Sequence, residues 1–264
     1  MNIETFRLFA IDIDDTLISD YKPVSEEDRN AVRAASDAGV NVILASGRGY
    51  DGVKPYNQAL GLPGYSICTG GGQIYDANNR LVHSTHIRPD NAQGLLKWAK
   101  ERNIYTQVYL DDGYYYSEYT DWSEYYLSHC GYPGKLVANL SDRTDLHAAK
   151  IVFFDKPEKI EAFTPLVRDA FPSLNVLTSA PIFLEIFDPA VSKGAALKYV
   201  SKMLDISREE IASIGDSQLD ISMFECSGLG CAVPDASNQV KAAADYICQS
   251  PANWVAEVID KFMR

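Results

Sequence analysis

Basic and histidine side chains are scarce in this chain. Four histidines and 24 lysines and arginines stand against 36 aspartates and glutamates, a formal net charge of −12. That sign repels phosphate backbones and anionic lipid surfaces, so the composition argues against nucleic acid and membranes as partners. Long apolar runs are also missing, since no stretch approaches the roughly 18 apolar residues of a membrane span. The opening MNIETFRLFAIDIDD carries charges where a secretory signal would be apolar. The five cysteines, Cys68, Cys130, Cys226, Cys231 and Cys248, are odd in number and form no C-x-x-C pair, which excludes a disulfide framework and a zinc ribbon. Together these absences predict a cytoplasmic protein in a reducing compartment. No repeat of fixed period is visible.

What remains is ample for a core. The 264 residues are 46% hydrophobic and 11% aromatic, enough for one large domain or two modest ones. The chain begins with short β-branched runs alternating with helical patterns, the signature of crossover units feeding a parallel sheet. Phe6 to Ile11, Val40 to Ala45 and Tyr65 to Cys68 read as strands, each stopping at a polar or glycine-rich turn. A helix over 26–38 is framed by the cap candidate Ser25 and by Gly39. From about Thr85 the texture changes: helix and hairpin patterns follow, rich in tyrosine, with Asp111-Asp112-Gly113 as one turn. After Asp188 the alternation of helix and strand returns, with strands over 211–214, 230–233 and 246–248. The outer segments are therefore expected to form one sheet domain, with the middle inserted.

Acidic and phosphate-compatible residues gather at the expected strand ends, where open parallel sheets collect their ligands. Asp12, Asp14 and Asp15 follow the first strand, Ser46-Gly47-Arg48 the second, and Asp216 and Asp220 a late one. Two like charges about 4 Å apart cost on the order of 4 kcal/mol at an effective dielectric near 20, so converging carboxylates need a cation. Oxygen ligands without histidine or cysteine favour magnesium over zinc. A carboxylate can also attack phosphorus, and Asp12 and Asp14 would share one face if the backbone between them is extended. Ser46 and Lys193 are candidates to hold phosphoryl oxygens.

These residues fall in four motifs: Asp12-Ile13-Asp14-Asp15-Thr16-Leu17, Ala45-Ser46-Gly47-Arg48, Val191-Ser192-Lys193-Gly194-Ala195-Ala196-Leu197, and Gly215-Asp216-Ser217 with Asp220. In that order the sequence resembles the haloacid dehalogenase-like hydrolases, and within them the Cof-type sugar-phosphate phosphatases, over essentially the whole chain. The resemblance implies a doubly wound, Rossmann-like parallel sheet core over residues 1–84 and 188–264, with an inserted mixed α/β cap domain over residues 85–187. It implies Asp12 as nucleophile and Asp14 as the acid that protonates the leaving oxygen and later activates water. Magnesium would be held by the Asp12 carboxylate, the Asp14 backbone carbonyl and Asp216, with Asp220 nearby. Ser46, Gly47 and Lys193 would hold the phosphoryl group, and Arg48 would shape the same loop. The implied activity is a magnesium-dependent phosphatase acting on a small phosphorylated metabolite, most simply a sugar phosphate. A phosphosugar mutase and a catalytically weak sugar-phosphate sensor share the same motifs. The sensor is suggested by two departures from the family pattern, Leu219 where an asparagine is usual and Gly70-Gly71-Gly72 where Asn-Gly-Ala is common. A signalling receiver would carry its acceptor acid at the second strand end, where this chain has Ser46.

Other signals have plainer readings. The G-x-G-x-x-G over 47–52 follows the second strand rather than opening the domain, against a dinucleotide site. His83 and His86 lack further ligands. Asn139-Leu140-Ser141 matches a glycosylation acceptor by chance. The segment from Tyr105 to Tyr132 holds nine of the sixteen tyrosines, expected to form a domain core or a subunit contact more than to stack on substrate. Glu185 is expected to be a solvated strand position, although a side chain there could reach substrate.

Overall fold

The computed structural model describes residues 6–19 and 23–263. Residues 1–5, 20–22 and 264, which fall within the outer segments expected to form the sheet domain and include the opening MNIET, lie outside the described residues. The chain forms two sheets. The first contains strands β1 (Leu8–Ile11), β2 (Asn41–Ala45), β3 (Ser66–Cys68), β4 (Gln73–Tyr75) and β5 (Leu81–Ser84). The second contains β6 (Tyr105–Leu110), β7 (Gly113–Tyr116), β8 (Lys135–Leu136), β9 (Lys150–Phe154), β10 (Asn175–Ala180) and β11 (Phe183–Phe187). β12 (Ile211–Gly215), β13 (Leu229–Ala232) and β14 (Tyr246–Ile247) return to the first. Helices α1 (Glu26–Asp37), α2 (Tyr50–Leu60), α3 (Pro89–Lys100), α4 (Asp121–Cys130), α5 (Pro157–Ala170), α6 (Lys193–Met203), α7 (Gln218–Phe224), α8 (Asn238–Ala243) and α9 (Trp254–Phe262) connect them.

The first sheet runs β14-β13-β12-β1-β2-β3-β4-β5. Its pairs are parallel from β14 to β3, and β4 and β5 add an antiparallel edge. Chain order moves outward from β1 on one side and from β12 on the other, so the order reverses between β1 and β12. Helices α1, α2 and α9 pack together on one face and α6, α7 and α8 on the other, a doubly wound core. Strands buried on both faces read as continuous apolar runs, and Leu8, Phe9, Ala10 and Ile11 are all buried.

Helix α1 starts where the sequence indicates. Ser25 Oγ accepts from the Asp28 N–H at 3.0 Å, and Asp28 Oδ2 accepts from the Ser25 hydroxyl at 2.9 Å. The other Asp28 oxygen accepts from the Ala256 N–H at 2.8 Å, which ties α1 to α9. Strands β4 and β5 and helix α2 escape the sequence reading, because glycines precede β4 and Pro55 interrupts the α2 pattern. In the triple glycine, Gly71 has φ +105°, and a Cβ there would overlap the Ser192 carbonyl. Only glycine lets this turn lie against the start of α6.

The second sheet runs β10-β11-β9-β6-β7-β8, antiparallel except for β7 with β8. Side chains of β9 alternate across it. Ile151 and Phe153 join a core with Leu95, Leu96, Ile160 and Val167 of α3 and α5, while Val152 and Phe154 join an aromatic cluster on the other face. That cluster holds Tyr109, Tyr114, Tyr116, Tyr126 and Tyr132, so much of the tyrosine-rich segment is core. Among the described residues, no helix is long and apolar enough to cross a membrane.

Candidate active site

The reversal between β1 and β12 opens a crevice at the strand ends, and the chain fills it with carboxylates. Asp12 follows β1, and its N–H continues the ladder to Ile214 O at 3.1 Å. Asp216 follows β12, and Asp220 lies in the first turn of α7. Oxygens of Asp12, Asp216 and Asp220 lie within 4.8 Å of one another. Lys193, the first residue of α6, brings the positive charge: its Nζ donates to Asp12 Oδ1 at 2.5 Å and to Asp220 Oδ1 at 2.6 Å. The second Asp220 oxygen accepts from the N–H groups of Asp216 and Ser217 at 3.2 and 2.9 Å. Asp220 thus fixes the turn that presents Asp216, and Gly215 leaves the room its carboxyl occupies.

The electrostatics follow from burial. Loss of solvent, then the Asp220 charge, push the Asp12 carboxyl well above the ordinary range, against the pull of Lys193. Asp216 is pushed up to about 7, by burial first and the Asp220 charge second. Burial alone would lower Lys193, but Asp12 and Asp220 hold it above its ordinary value. One ammonium is therefore shared among three carboxylates. The excess negative charge and the all-oxygen donor set fit a hard divalent cation.

Asp14 does not sit in an extended strand beside Asp12. Asp14 lies past the end of β1, bridged to Ile18, and lines the same cavity as Asp12; the chain turns away beyond it, with Asp15 at φ +55°. Arg48 is nearly fully buried and holds the Asp14 carboxylate through two hydrogen bonds. Those bonds raise Arg48 above its ordinary range although burial opposes it. Gly47 lines the same cavity. The Ser46 hydroxyl is fully buried and accepts the Arg48 N–H at 3.1 Å, which shapes the loop after β2.

The opposite wall comes from the second sheet and from α4. Tyr109, Tyr126, Cys130, Lys150, Val152, Phe154, Ser179, Phe183 and Glu185 face the same cavity as Asp12 and Asp14. Glu185 is not the solvated strand position expected from its sequence: it is 5% exposed, because it pairs in register with Val152 on the cavity face of the sheet. Lys150 also escapes sequence reasoning. Its signal is a single lysine opening the apolar strand Lys150-Ile151-Val152-Phe153-Phe154. Leu219, where the family resemblance expects asparagine, lines the cavity and packs with Phe187 and Val191. His83 and His86 lie elsewhere, bonded to Thr85 and to Ser84 and Asp111.

A family model described as haloacid dehalogenase-like hydrolase matches residues 9–259. The putative phosphatase YxeH of Bacillus subtilis (strain 168) is 29% identical over 259 residues, 93% of each chain. The 5-amino-6-(5-phospho-D-ribitylamino)uracil phosphatase YcsE of the same organism is 29% identical over 243 residues, covering 91% of this chain and 89% of its own. Among solved structures, a haloacid dehalogenase-like hydrolase from B. subtilis superposes with a TM-score of 0.86 at 27% identity, over 97% of this chain and 99% of that one.

Proposed function

The chain belongs to the haloacid dehalogenase-like hydrolases and is a phosphatase, and on that premise we propose that it hydrolyses sugar phosphates or closely related small phosphorylated metabolites through an aspartyl phosphate on Asp12, with magnesium as cofactor. The observation that carries this reading is the convergence of Asp12, Asp216 and Asp220 with Lys193 where the strand order reverses. In this reading an Asp12 oxygen attacks phosphorus, an O–P bond forms, and the ester P–O bond breaks. Asp14 gives its proton to the departing oxygen. It then takes a proton from the water that attacks the aspartyl phosphate, which returns Asp12 and releases inorganic phosphate. Lys193, Ser46 and Gly47 hold the phosphoryl oxygens, and Lys193 offsets charge gathering there. Magnesium, held by the Asp12 carboxylate, the Asp14 backbone carbonyl and Asp216 with Asp220 beside them, would supply further positive charge at the phosphoryl oxygens.

We assign the unit over residues 85–187 as a cap that shields the transfer from bulk water and selects the leaving group. A small phosphorylated substrate is supported by the name of the relative YcsE, which includes a phosphorylated ribityl chain. The test is phosphate release from sugar phosphates, nucleotides and an aryl phosphate, with magnesium and with a chelator. Release that needs magnesium and falls by about a thousandfold or more in a folded Asp12→Asn variant is expected. Equal rates in parent and variant would remove Asp12 as nucleophile. Conversion between hexose 1- and 6-phosphates without net phosphate release would favour a mutase.

A further inference from the structure

We infer that Glu185, Ser179 and Lys150 read hydroxyl groups on the leaving group, and that the site selects monophosphates whose leaving group is an uncharged polyol. The inference rests on the phosphatase reading above and assigns its selectivity to three side chains. Antiparallel pairing places β9 between β6 and β11, so Lys150 and Glu185 project from adjacent strands into one cavity. Their side chains are 3% and 7% exposed and form an ion pair at 3.2 Å. Ser179 Oγ donates to Glu185 Oε1 at 2.6 Å. Lys150 Nζ also donates to Gly47 O at 2.6 Å, reaching across to the loop after β2, and lies 4.5 Å from the centre of the Tyr109 ring.

The count of donors and acceptors is uneven. A carboxylate offers about four acceptor sites. Glu185 uses one oxygen for Ser179 and the other for Lys150, which leaves acceptor capacity on a buried group that lines the cavity. A buried carboxylate is costly unless its oxygens meet donors. A substrate hydroxyl supplies such a donor without adding charge. Charge pairing makes the same selection. Of the lysine and arginine side chains lining the cavity, Arg48 is already on Asp14, Lys193 on Asp12 and Asp220, and Lys150 on Glu185. No unpaired lysine or arginine lines the cavity, among the described residues, to receive a second phosphate or a carboxylate on the leaving group.

The pairing of Lys150 with Gly47 O also allows a purely structural role, in which the three side chains brace the loop after β2. The experiment separates the two. kcat/KM is measured for pentose, hexose and alditol monophosphates, for cyclohexylmethyl phosphate, which has similar bulk but no hydroxyl, and for a hexose bisphosphate. In the parent protein the best polyol monophosphate is expected to exceed both comparison esters by tenfold or more. The ratio of polyol to cyclohexylmethyl ester is expected to fall at least tenfold in Glu185→Gln and at least threefold in Ser179→Ala. Activity on the cyclohexylmethyl ester reports that each variant is folded. Equal losses on both esters, leaving the ratio unchanged, would overturn the inference in favour of bracing, and so would a parent that does not discriminate. A parent that releases phosphate from no ester would overturn the phosphatase reading as well, a result distinct from hydrolysis without discrimination.

Discussion

The Arg48 guanidinium holds both oxygens of the Asp14 carboxylate, with Nε at 2.9 Å from Oδ2 and Nη2 at 2.6 Å from Oδ1. The two bonds fix the plane of the carboxyl group as well as its position. Arg48 is 4% exposed and Asp14 40%, so the fork is anchored inside the protein while the acid it holds faces the cavity.

Arg48→Lys tests that orientation. An ammonium retains the charge but cannot make two parallel bonds. kcat is expected to fall by roughly 10- to 100-fold, with a smaller change in KM, because a misplaced acid impairs transfer more than binding. Unchanged kcat in steady-state assays would show that Asp14 needs no such support.

The carboxylate cluster should bind a divalent cation in the absence of substrate. Magnesium at about 100 times its dissociation constant would stabilise the native state by about 2.7 kcal/mol, a rise in Tm on the order of 5 °C or more for a chain of this size. Differential scanning calorimetry should record that rise in the parent and lose most of it in Asp216→Asn. An equal rise in both would place the ion elsewhere.

Asp28 offers a test of stability away from the cavity. Burial raises its carboxyl above the ordinary value, against hydrogen bonds from the Ala256 N–H and the Ser25 hydroxyl. A raised folded pKa means that the stabilising contribution is complete below the unfolded value and is lost as pH climbs through the folded one. The Tm of Asp28→Asn relative to the parent should therefore be more favourable at pH 7 than at pH 4. Asp28→Ala removes the acceptor for Ala256 N–H and should cost about 1–3 kcal/mol, more at pH 4 than at pH 7 because alanine does not titrate either. A pH-independent difference for Asp28→Asn would contradict the raised value.

Cys130 is the half-buried cysteine, while Cys68, Cys226, Cys231 and Cys248 are buried. Burial pushes its thiol up to about 11. Only about one thiol in ten thousand would be ionised at pH 7, so alkylation should be slow there and accelerate close to tenfold per pH unit through pH 9. Mass spectrometry after iodoacetamide treatment should find Cys130 modified first. A rate that does not respond to pH would overturn the assignment.

Three of the four motifs were legible in the sequence because they lie where an apolar run stops, the fourth places Lys193 at a helix start, and Asp12, Asp14, Gly47, Arg48, Lys193 and Asp216 meet around one cavity. Their local geometry was less legible. Asp14 lies past the end of β1, so strand alternation alone does not place it at the cavity, and the left-handed Asp15 turns the chain away just beyond it. Glu185 and Lys150 were obscured for a related reason. A charged residue in a short strand reads as exposed, and only the antiparallel register of β9 and β11 brings the two together with both faces of the sheet covered. The outer β4 and β5 carry too few residues beyond the glycine turn for their periodicity to show.

The residues that meet at the crevice are remote along the chain: Lys193 and Asp12 are 181 positions apart, and Thr16 and Asp216 are 200. Closing a loop of that length costs about 5 kcal/mol of chain entropy, which the pairing of β1 with β12 must offset. During synthesis Asp12 leaves the ribosome long before its partners exist. A chain released before residue 216 carries the proposed nucleophile without Asp216 and the turn that presents it. Truncated products are therefore expected to be inert as phosphatases, so that activity would report that the late β12 strand has joined the sheet.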